Sequence, residues 1–185
     1  MTTAEKNPRG IPKALFVEDV SAFLSGYKDS TELGLRHLQE VLSKYRFMEA
    51  NMLQRKQSML SKIPEIEKTL QMAKYLEERK ASSEEPISVQ YELHDTLYAT
   101  ARVQPRETVY LWLGANVMLE YPIAEAIALL TDKLEVSRRR LTHAEEDLEF
   151  LRDQITVTEV NTARVFNWDV KMRRQTAETS VTVAS

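Results

Sequence analysis

The chain has 185 residues, enough for one domain or at most two, and it contains only four glycines and six prolines. Charged residues make up 29% of it, and the abundance of Ala, Leu, Glu, Lys and Arg favours long helices. The net charge of -3 comes from 25 basic and 28 acidic residues mixed along the chain, so no sustained field favours nucleic acid or acidic lipid. Without cysteine the chain can form neither disulfides nor thiolate metal sites.

The sequence shows no apolar run of about 18 residues and no amino-terminal signal with an apolar core. We therefore expect a soluble intracellular protein. The cytoplasm is the default compartment, and the nucleus is a further one.

Residues 1–28 are expected to be flexible except for one short amphipathic helix. Four apolar side chains recur at helical spacing: Phe16, Val20, Phe23 and Tyr27. This spacing predicts a helix over Lys13–Ser25. This helix is expected either to fold over the end of the long helices or to touch a neighbouring subunit. As a hypothesis, it gates the surface at that end.

The first long helix is predicted to span residues 29–82. Asp29 can accept a hydrogen bond from an early backbone N–H, and Glu32 stands three residues later, as in a capping box. A heptad of mostly apolar residues follows, which indicates a coiled-coil seam. Its inner positions are Leu35, Leu38, Leu42, Tyr45, Glu49, Met52, Lys56, Met59, Ile63, Ile66, Leu70, Ala73 and Glu77. Pro64 predicts a bend near Lys62, because proline removes a helix hydrogen bond.

Residues 87–121 change from a helical period to strict alternation, which predicts four short strands in two β-hairpins. The strands of the first hairpin join around Asp95. The second hairpin is predicted to pair Val109–Leu113 with Asn116–Tyr121 through a turn at Gly114 and Ala115.

The second hairpin carries large apolar side chains on both faces and therefore needs covering on both sides. These predicted subunit-assembly residues are Val109, Tyr110, Leu111, Trp112, Leu113, Val117, Met118 and Leu119. Isolated hairpins are marginal in water and their open edges accept further strands, so we expect strands from several chains to complete a sheet or barrel. A ligand pocket around Trp112 and Met118 is the weaker interpretation, because packing between subunits would cover both side chains.

The second long helix is predicted to span residues 122–174, and residues 175–185 are expected to form a disordered tail. Its seam positions are Ile123, Ile127, Leu130, Leu134, Ser137, Leu141, Ala144, Leu148, Leu151, Ile155, Thr158, Thr162 and Val165. Both seams have the same length, which predicts that the helices run antiparallel. Leu35 should then lie near Val165, and Leu70 near Leu130.

Charged clusters on the second helix have two interpretations each. Arg138, Arg139 and Arg140 could form a nucleic-acid or partner patch, but a solvated helix face explains an isolated triplet better. Glu145, Glu146 and Asp147 are consecutive, so they point around the helix and do not converge as acid–base catalysts would; a solvated helix face explains them better.

The three histidines, His37, His94 and His143, are far apart in sequence, and no phosphate loop or catalytic motif is present. We therefore predict no enzymatic activity, no metal and no cofactor.

Several segments resemble one family closely. They are Gly10–Val20 (GIPKALFVEDV), Lys44–Glu49 (KYRFME), Ile63–Ile66 (IPEI), Leu111–Tyr121 (LWLGANVMLEY) and Glu145–Val170 (EEDLEFLRDQITVTEVNTARVFNWDV). With the order helix, two hairpins, helix, the chain resembles the alpha class of prefoldin, in which two hairpins lie between the coiled-coil arms; the beta class has one. The resemblance covers roughly residues 10–174, of which residues 29–174 form one prefoldin-like domain.

The resemblance implies a hetero-hexamer of two alpha-class and four beta-class subunits, in which the hairpins build a double β-barrel and six arms extend from it. It further implies capture of unfolded actin and tubulin without ATP and their transfer to the cytosolic chaperonin.

Antiparallel arms would bring the start of the first helix and the end of the second together at the free end. The predicted client-binding residues there are Leu33, Leu35, Leu38, Val165, Phe166, Trp168 and Val170. An alternative is that Phe166 and Trp168 only cap the coiled coil. A rival function is a coiled-coil scaffold or tether that binds a folded partner through the same heptads.

Overall fold

The computed structural model describes residues 6–82, 85–104 and 106–183, with side chains described through residue 175. The elements in chain order are α1 (Val20–Ser25), α2 (Thr31–Ser82), β1 (Ile87–His94), β2 (Leu97–Val103), β3 (Thr108–Gly114), β4 (Val117–Pro122) and α3 (Ile123–Val183). The mainly helical fold with two hairpins between long helices is therefore confirmed. In the part of the chain that is described, no helix combines the length and apolarity needed to cross a membrane.

Contacts divide the chain into two compact units. We call residues 1–56 with 143–185 the terminal unit, and residues 57–142 the hairpin unit. Each unit contains a stretch of both long helices, and each has its own buried cluster.

The terminal unit packs α2 and α3 side by side in opposite directions. Leu38 and Val165 are buried in one cluster, and Leu35 packs against it. Tyr45 and Leu151 are buried in a second cluster. Because the residue number rises along α2 as it falls along α3, the predicted antiparallel pairing of Leu35 with Val165 is confirmed.

The hairpin unit repeats this pairing with other residues. Leu70 and Ala73 of α2 form a buried cluster with Leu130 and Leu134 of α3. Every seam position predicted on α3 is buried or half-buried, and on α2 only Glu77 is exposed. The two heptad seams are thus confirmed.

The start of α2 corrects the predicted capping box. Lys28 and Asp29 both have φ of 56°, a left-handed conformation, and helix begins after them. The carbonyl oxygen of Ser30 accepts the first helical hydrogen bond, from Gly34 N–H at 3.1 Å, and the Ser30 hydroxyl accepts one from Leu33 N–H at 3.4 Å. Ser30 therefore caps α2, because the left-handed Asp29 belongs to the preceding turn.

Pro64 does not end α2, which continues as helix to Ser82. The bend near Lys62 stays a prediction. At the other end of the chain, α3 extends to Val183, beyond the predicted boundary at residue 174. The predicted tail 175–185 thus begins inside α3, and residues 184–185 lie outside the described residues.

Both hairpins are antiparallel, and among the described residues the strands of each hairpin pair only with each other. In the second hairpin the turn residues are Ala115 and Asn116, with φ of 49° and 60°. Two consecutive positive φ angles are typical of the tight turns that match the strand twist. The predicted turn at Gly114 and Ala115 was therefore one residue too early, since Gly114 still pairs with Val117.

Candidate functional site: assembly and client-binding surfaces

The outward face of the second hairpin is large, apolar and uncovered. Tyr110 is 58% exposed, Trp112 59% and Met118 55%. Trp112 and Met118 stand directly opposite each other in the β3–β4 register. Directly opposed large side chains interact across antiparallel strands, so together they form one surface.

The inward face of this hairpin packs on the helices of its unit. Leu111 contacts the cluster around Leu70 and Leu130, and Val109 is half-buried. Leu113, Val117 and Leu119 remain exposed. The hairpin is therefore covered on part of one face only, and the eight predicted assembly residues divide between the two faces.

The first hairpin adds exposed apolar side chains that the site prediction missed. They are Val89, Tyr91, Leu93, Leu97, Tyr98 and Val103. Most of them alternate along β1 and β2, a pattern visible in the sequence. Tyr98 stands opposite Glu92 on the other face, which carries mainly polar and small residues. Exposed apolar patches with unpaired strand edges beside them indicate an interaction surface.

The predicted client-binding residues do not form one exposed group. Leu38 is 5% exposed and Val165 is fully buried, so both belong to the core of the terminal unit. Leu33 and Phe166 are exposed, and Val170 is half-buried. The reason is that α1 covers this end of the helices, burying Val20 and Leu24 in the same cluster.

Phe166 and Trp168 have different environments. Trp168 packs against the Leu38–Val165 cluster, as the capping alternative predicted. Phe166 is 56% exposed and lines a shallow groove of about 390 Å³ together with Leu35 and Leu42. Of the two aromatic residues, Phe166 is the one that an external apolar chain can reach.

The segment before α1 corrects the predicted Lys13–Ser25 helix. Helix covers only Val20–Ser25, where the Asp19 carboxylate accepts from the N–H groups of Ser21 and Ala22. The Ser21 hydroxyl also donates to this carboxylate, at 2.7 Å, and is the main cause that lowers the pKa of Asp19; the two backbone N–H groups add to the effect.

Residues 6–18 are not helical, because backbone groups of this segment bond to side chains of α3. Ala14 N–H donates to Gln154 Oε1 at 2.9 Å, and Val17 N–H donates to Asn161 Oδ1 at 2.9 Å. Ile11 and Val17 are buried. Within the segment expected to be flexible, residues 7–18 are therefore packed as a third element of the terminal unit.

Three buried polar residues of α3 hold this segment, and the sequence analysis missed their role. Asp147, Gln154 and Asn161 are 4%, 5% and 2% exposed. They are spaced by seven residues, which places them on one face of the helix beside the seam. This seven-residue repeat of polar residues was the feature of the sequence that could have indicated their role.

Asp147 also corrects the interpretation of the acidic triplet as a solvated helix face. Its Oδ1 accepts from Asn7 Nδ2 and from Arg9 Nε, both at 2.7 Å, and Arg9 also pairs with Glu146 at 2.8 Å. The hydrogen bond to Asp147 is the main cause that raises the pKa of Arg9. Glu145 pairs with Lys56 of α2 at 2.9 Å.

One arginine of the triplet forms an ion pair within the hairpin unit. Arg138 donates to Glu67 of α2 at 2.6 Å, while Arg139 and Arg140 are exposed. Among the described residues, no group of three or more His, Asp or Glu side chains is placed to hold a metal ion.

Comparisons with known proteins agree with this architecture. The family model described as Prefoldin subunit matches residues 45–168. The chain is 50% identical over 172 residues to prefoldin subunit 3 of Elsinoe fawcettii, covering 93% of this chain and 86% of that protein. It is 48% identical over 180 residues to prefoldin subunit 3 of Mus musculus, covering 95% and 91%. It is 49% identical over 173 residues to the probable prefoldin subunit 3 of Schizosaccharomyces pombe, covering 94% and 98%.

Among solved structures, a chain of the cryo-EM structure of filamentous PFD from Methanocaldococcus jannaschii has a TM-score of 0.50 at 17% identity. The likeness covers 64% of this chain and 94% of that one, and it supports the fold. The helices, hairpins and matches together define a chaperone subunit, and the chain belongs to the prefoldin family. Within that family its curated relatives are prefoldin subunit 3 proteins from fungi and animals.

Proposed function

We propose that this chain is an alpha-class subunit of a cytoplasmic hetero-hexameric prefoldin, assembled with one further alpha-class and four beta-class subunits. The observation that carries the proposal is the uncovered apolar surface of the two hairpins, above all Trp112 and Met118. Fully burying one such side chain contributes about 1.5–3 kcal/mol, and several adjacent ones suffice for a stable subunit interface. Strands of neighbouring subunits would cover these faces and complete a β-barrel.

In this assembly the chain acts as an ATP-independent holdase that captures unfolded proteins such as actin and tubulin and delivers them to the cytosolic chaperonin. Phe166 and the groove it lines with Leu35 and Leu42 offer an apolar contact. Micromolar affinity requires about 8 kcal/mol, which exceeds what one buried aromatic side chain contributes. Several arms must therefore hold a client together.

The assembly proposal is tested with Trp112→Asp in the chain co-expressed with its partner subunits. We expect the variant to be lost from the native hexamer, because a carboxylate cannot be buried unpaired in the barrel. Phe47→Asp is the matched control, since Phe47 is 70% exposed on α2 and lies outside the hairpins. The proposal is supported if native mass spectrometry shows a complex of six chains for Phe47→Asp and smaller species for Trp112→Asp. A homodimer of the wild-type chain would favour the scaffold or tether function.

The holdase proposal is tested by diluting denatured actin or tubulin into buffer that contains the assembled complex and no nucleotide. Suppressed aggregation of both clients is expected, followed by folding after the chaperonin and ATP are added. A complex that binds only one folded partner and leaves unfolded chains to aggregate would be a scaffold.

A further inference from the structure

The segment from Asn7 to Glu18 runs along α3 in the same direction as the helix. Asn7 bonds to Asp147, Ala14 to Gln154 and Val17 to Asn161, so both residue numbers increase together. From Ala14 to Val17 the segment advances three residues while α3 advances seven. Seven helical residues rise about 10.5 Å, and three residues of an extended chain span about 9–10 Å. Between Ala14 and Val17 the spacing of Gln154 and Asn161 therefore matches an extended peptide.

The hydrogen bonds of this groove go mostly to backbone atoms of the segment. Asn161 accepts from Val17 N–H at 2.9 Å and donates from Nδ2 to the Leu15 carbonyl oxygen at 2.7 Å. Gln154 accepts from Ala14 N–H at 2.9 Å. A side-chain amide that bonds one N–H and one C=O holds any extended chain, because every residue other than proline offers both groups.

Two further hydrogen bonds also go to backbone carbonyl oxygens of the segment. The Tyr45 hydroxyl donates to the Pro12 carbonyl oxygen at 3.0 Å, and Arg164 donates to the Glu18 carbonyl oxygen at 2.8 Å. Between Pro12 and Glu18, all of these contacts are independent of the side chains that the peptide carries.

The side chains that the segment directs inward are aliphatic and spaced by three. Ile11 and Val17 are buried and Ala14 is half-buried, whereas Leu15 and Phe16 are exposed. A cavity of about 470 Å³ remains beside Ala14, lined mainly by apolar atoms. Its walls include Leu38, Val41, Tyr45 and Met48 of α2. Larger apolar side chains than Ala14 would therefore find space there.

We infer that this groove, made by Asn161, Gln154 and Tyr45 between α2 and α3, is a binding site for an extended apolar segment of an unfolded polypeptide. The chain's own residues 11–18 occupy it in the absence of a client. Asn161 and Gln154 are buried polar groups that need a hydrogen-bonding occupant, because a buried amide without a hydrogen-bond partner is destabilising. A client segment with small or medium apolar residues at every third position replaces both the hydrogen bonds and the burial. The inference rests on the proposed holdase function and adds a site separate from Phe166.

The test uses the assembled complex and a fluorescent peptide with the sequence of residues 6–19. In the wild type the tethered segment competes at an effective concentration in the millimolar range, so the peptide should bind weakly. Val17→Asp should release the segment and increase peptide affinity at least tenfold, since a carboxylate cannot occupy the Leu38–Val165 cluster. Leu15→Asp is the matched control, because Leu15 is 70% exposed, and should leave affinity at the wild-type value.

A second variant acts without adding a charge. Ala14→Pro removes the N–H that Gln154 accepts and leaves α2 and α3 unchanged, so it should also increase peptide affinity. Adding Asn161→Leu to Ala14→Pro should abolish the gain, because leucine cannot bond to Leu15 or Val17. Equal peptide affinity in the wild type and both segment variants would overturn the inference.

Denatured actin links the groove to the client. It should displace the fluorescent peptide from the Ala14→Pro complex. A polar competitor peptide of the same length as the fluorescent peptide should not displace it. If the wild-type complex suppresses actin aggregation but actin leaves the peptide bound, the groove is not a client site and the holdase function stands. If the complex fails to hold actin yet binds the peptide, the proposed function fails and the groove serves only the chain's own segment.

Discussion

The hydroxyl group of Tyr45 on α2 donates a hydrogen bond to the carbonyl oxygen of Pro12 at 3.0 Å, and the tyrosine is 3% exposed. Its ring shares a buried cluster with Ile11 and Leu151. One side chain thus joins the amino-terminal segment to both long helices. The core of the terminal unit therefore depends on the segment as well as on the coiled-coil seam.

Replacing Tyr45 with phenylalanine should lower the free energy of unfolding by about 1 kcal/mol, because the Pro12 carbonyl oxygen loses its partner while the ring stays packed. Urea unfolding of the purified chain, followed by circular dichroism, measures the change. Tyr75→Phe is the control on the same helix, since Tyr75 is 45% exposed. Equal losses in the two variants would contradict a specific role for the Tyr45 hydroxyl.

Alkaline pH should weaken the same contact. Burial raises the pKa of Tyr45, so the folded state retains the neutral phenol at pH values where the unfolded chain ionises. The stabilisation is fully present below the unfolded pKa of about 10 and is lost as pH rises through the folded value. Subtracting the near-ultraviolet titration curve of Tyr45→Phe from that of the wild type isolates the ionisation of Tyr45. The midpoint of this difference should lie at a higher pH than the tyrosine midpoint of the protein unfolded in urea. Coincident midpoints would show that burial does not protect this phenol.

Gly34→Ala should destabilise the terminal unit although alanine is the better helix former. The helix preference alone favours alanine by about 1 kcal/mol. An added Cβ would lie 2.8 Å from Leu24 Cδ2 and 3.3 Å from Phe23 Cε1. Leu24 is 1% exposed, so its side chain would have to shift against packed neighbours. Overpacking of this kind costs about 1–3 kcal/mol, so we expect a net loss of up to about 2 kcal/mol.

Hydrogen exchange in α1, measured by mass spectrometry, reports this loss directly, because the clash lies between α1 and α2. Gly26→Ala is the control: its Cβ would meet only the Phe23 carbonyl oxygen at 3.5 Å, an ordinary contact. Slower exchange in Gly34→Ala than in wild type would mean that helix preference outweighs packing.

The long helices, both seams and the two hairpins followed from hydrophobic period, because a coiled-coil seam and alternating strands leave regular patterns in sequence. The cap of α2 was misplaced by one residue, since both Asp29 and Ser30 are good capping residues and only the backbone conformation distinguishes them.

The segment before α1 was mispredicted for a different reason. Phe16 and Val20 have helical spacing, but side chains from α3, more than 100 residues later, bond to the backbone before Val20 and keep it extended. Local pattern cannot show such distant partners. For the same reason Leu38 and Val165 were assigned to an exposed client surface that α1 covers.

The arginine triplet should contribute little to binding of nucleic acid. Arg138 is already paired with Glu67 at 2.6 Å, and the net charge of the chain is -3. Replacing Arg139 and Arg140 by glutamine should leave any weak binding of RNA or DNA, and its salt dependence, unchanged at physiological salt. Arg138→Gln should lower the free energy of unfolding by less than about 1 kcal/mol, because both partners are largely exposed. Fluorescence anisotropy that shows tight, steeply salt-dependent binding lost in the double variant would support a nucleic-acid patch instead.

Phe166 and Trp168 should respond differently to the same substitution. Phe166→Ser removes a side chain that is 56% exposed, so the free energy of unfolding should change by no more than about 0.5 kcal/mol. The protection of denatured actin from aggregation should nevertheless fall. Trp168→Ser removes a ring packed against the Leu38–Val165 cluster, so the free energy of unfolding should fall by about 2–4 kcal/mol.

Comparing aggregation of denatured actin with urea unfolding for both variants separates a client contact from a structural one. Val160→Ser is the matched control, because Val160 is 42% exposed on the same helix and outside the Phe166 groove. If Phe166→Ser protects actin as well as Val160→Ser does, the groove of Phe166, Leu35 and Leu42 does not bind clients. Exposed Leu33 and the groove around Asn161 would then be the candidates that remain on the terminal unit.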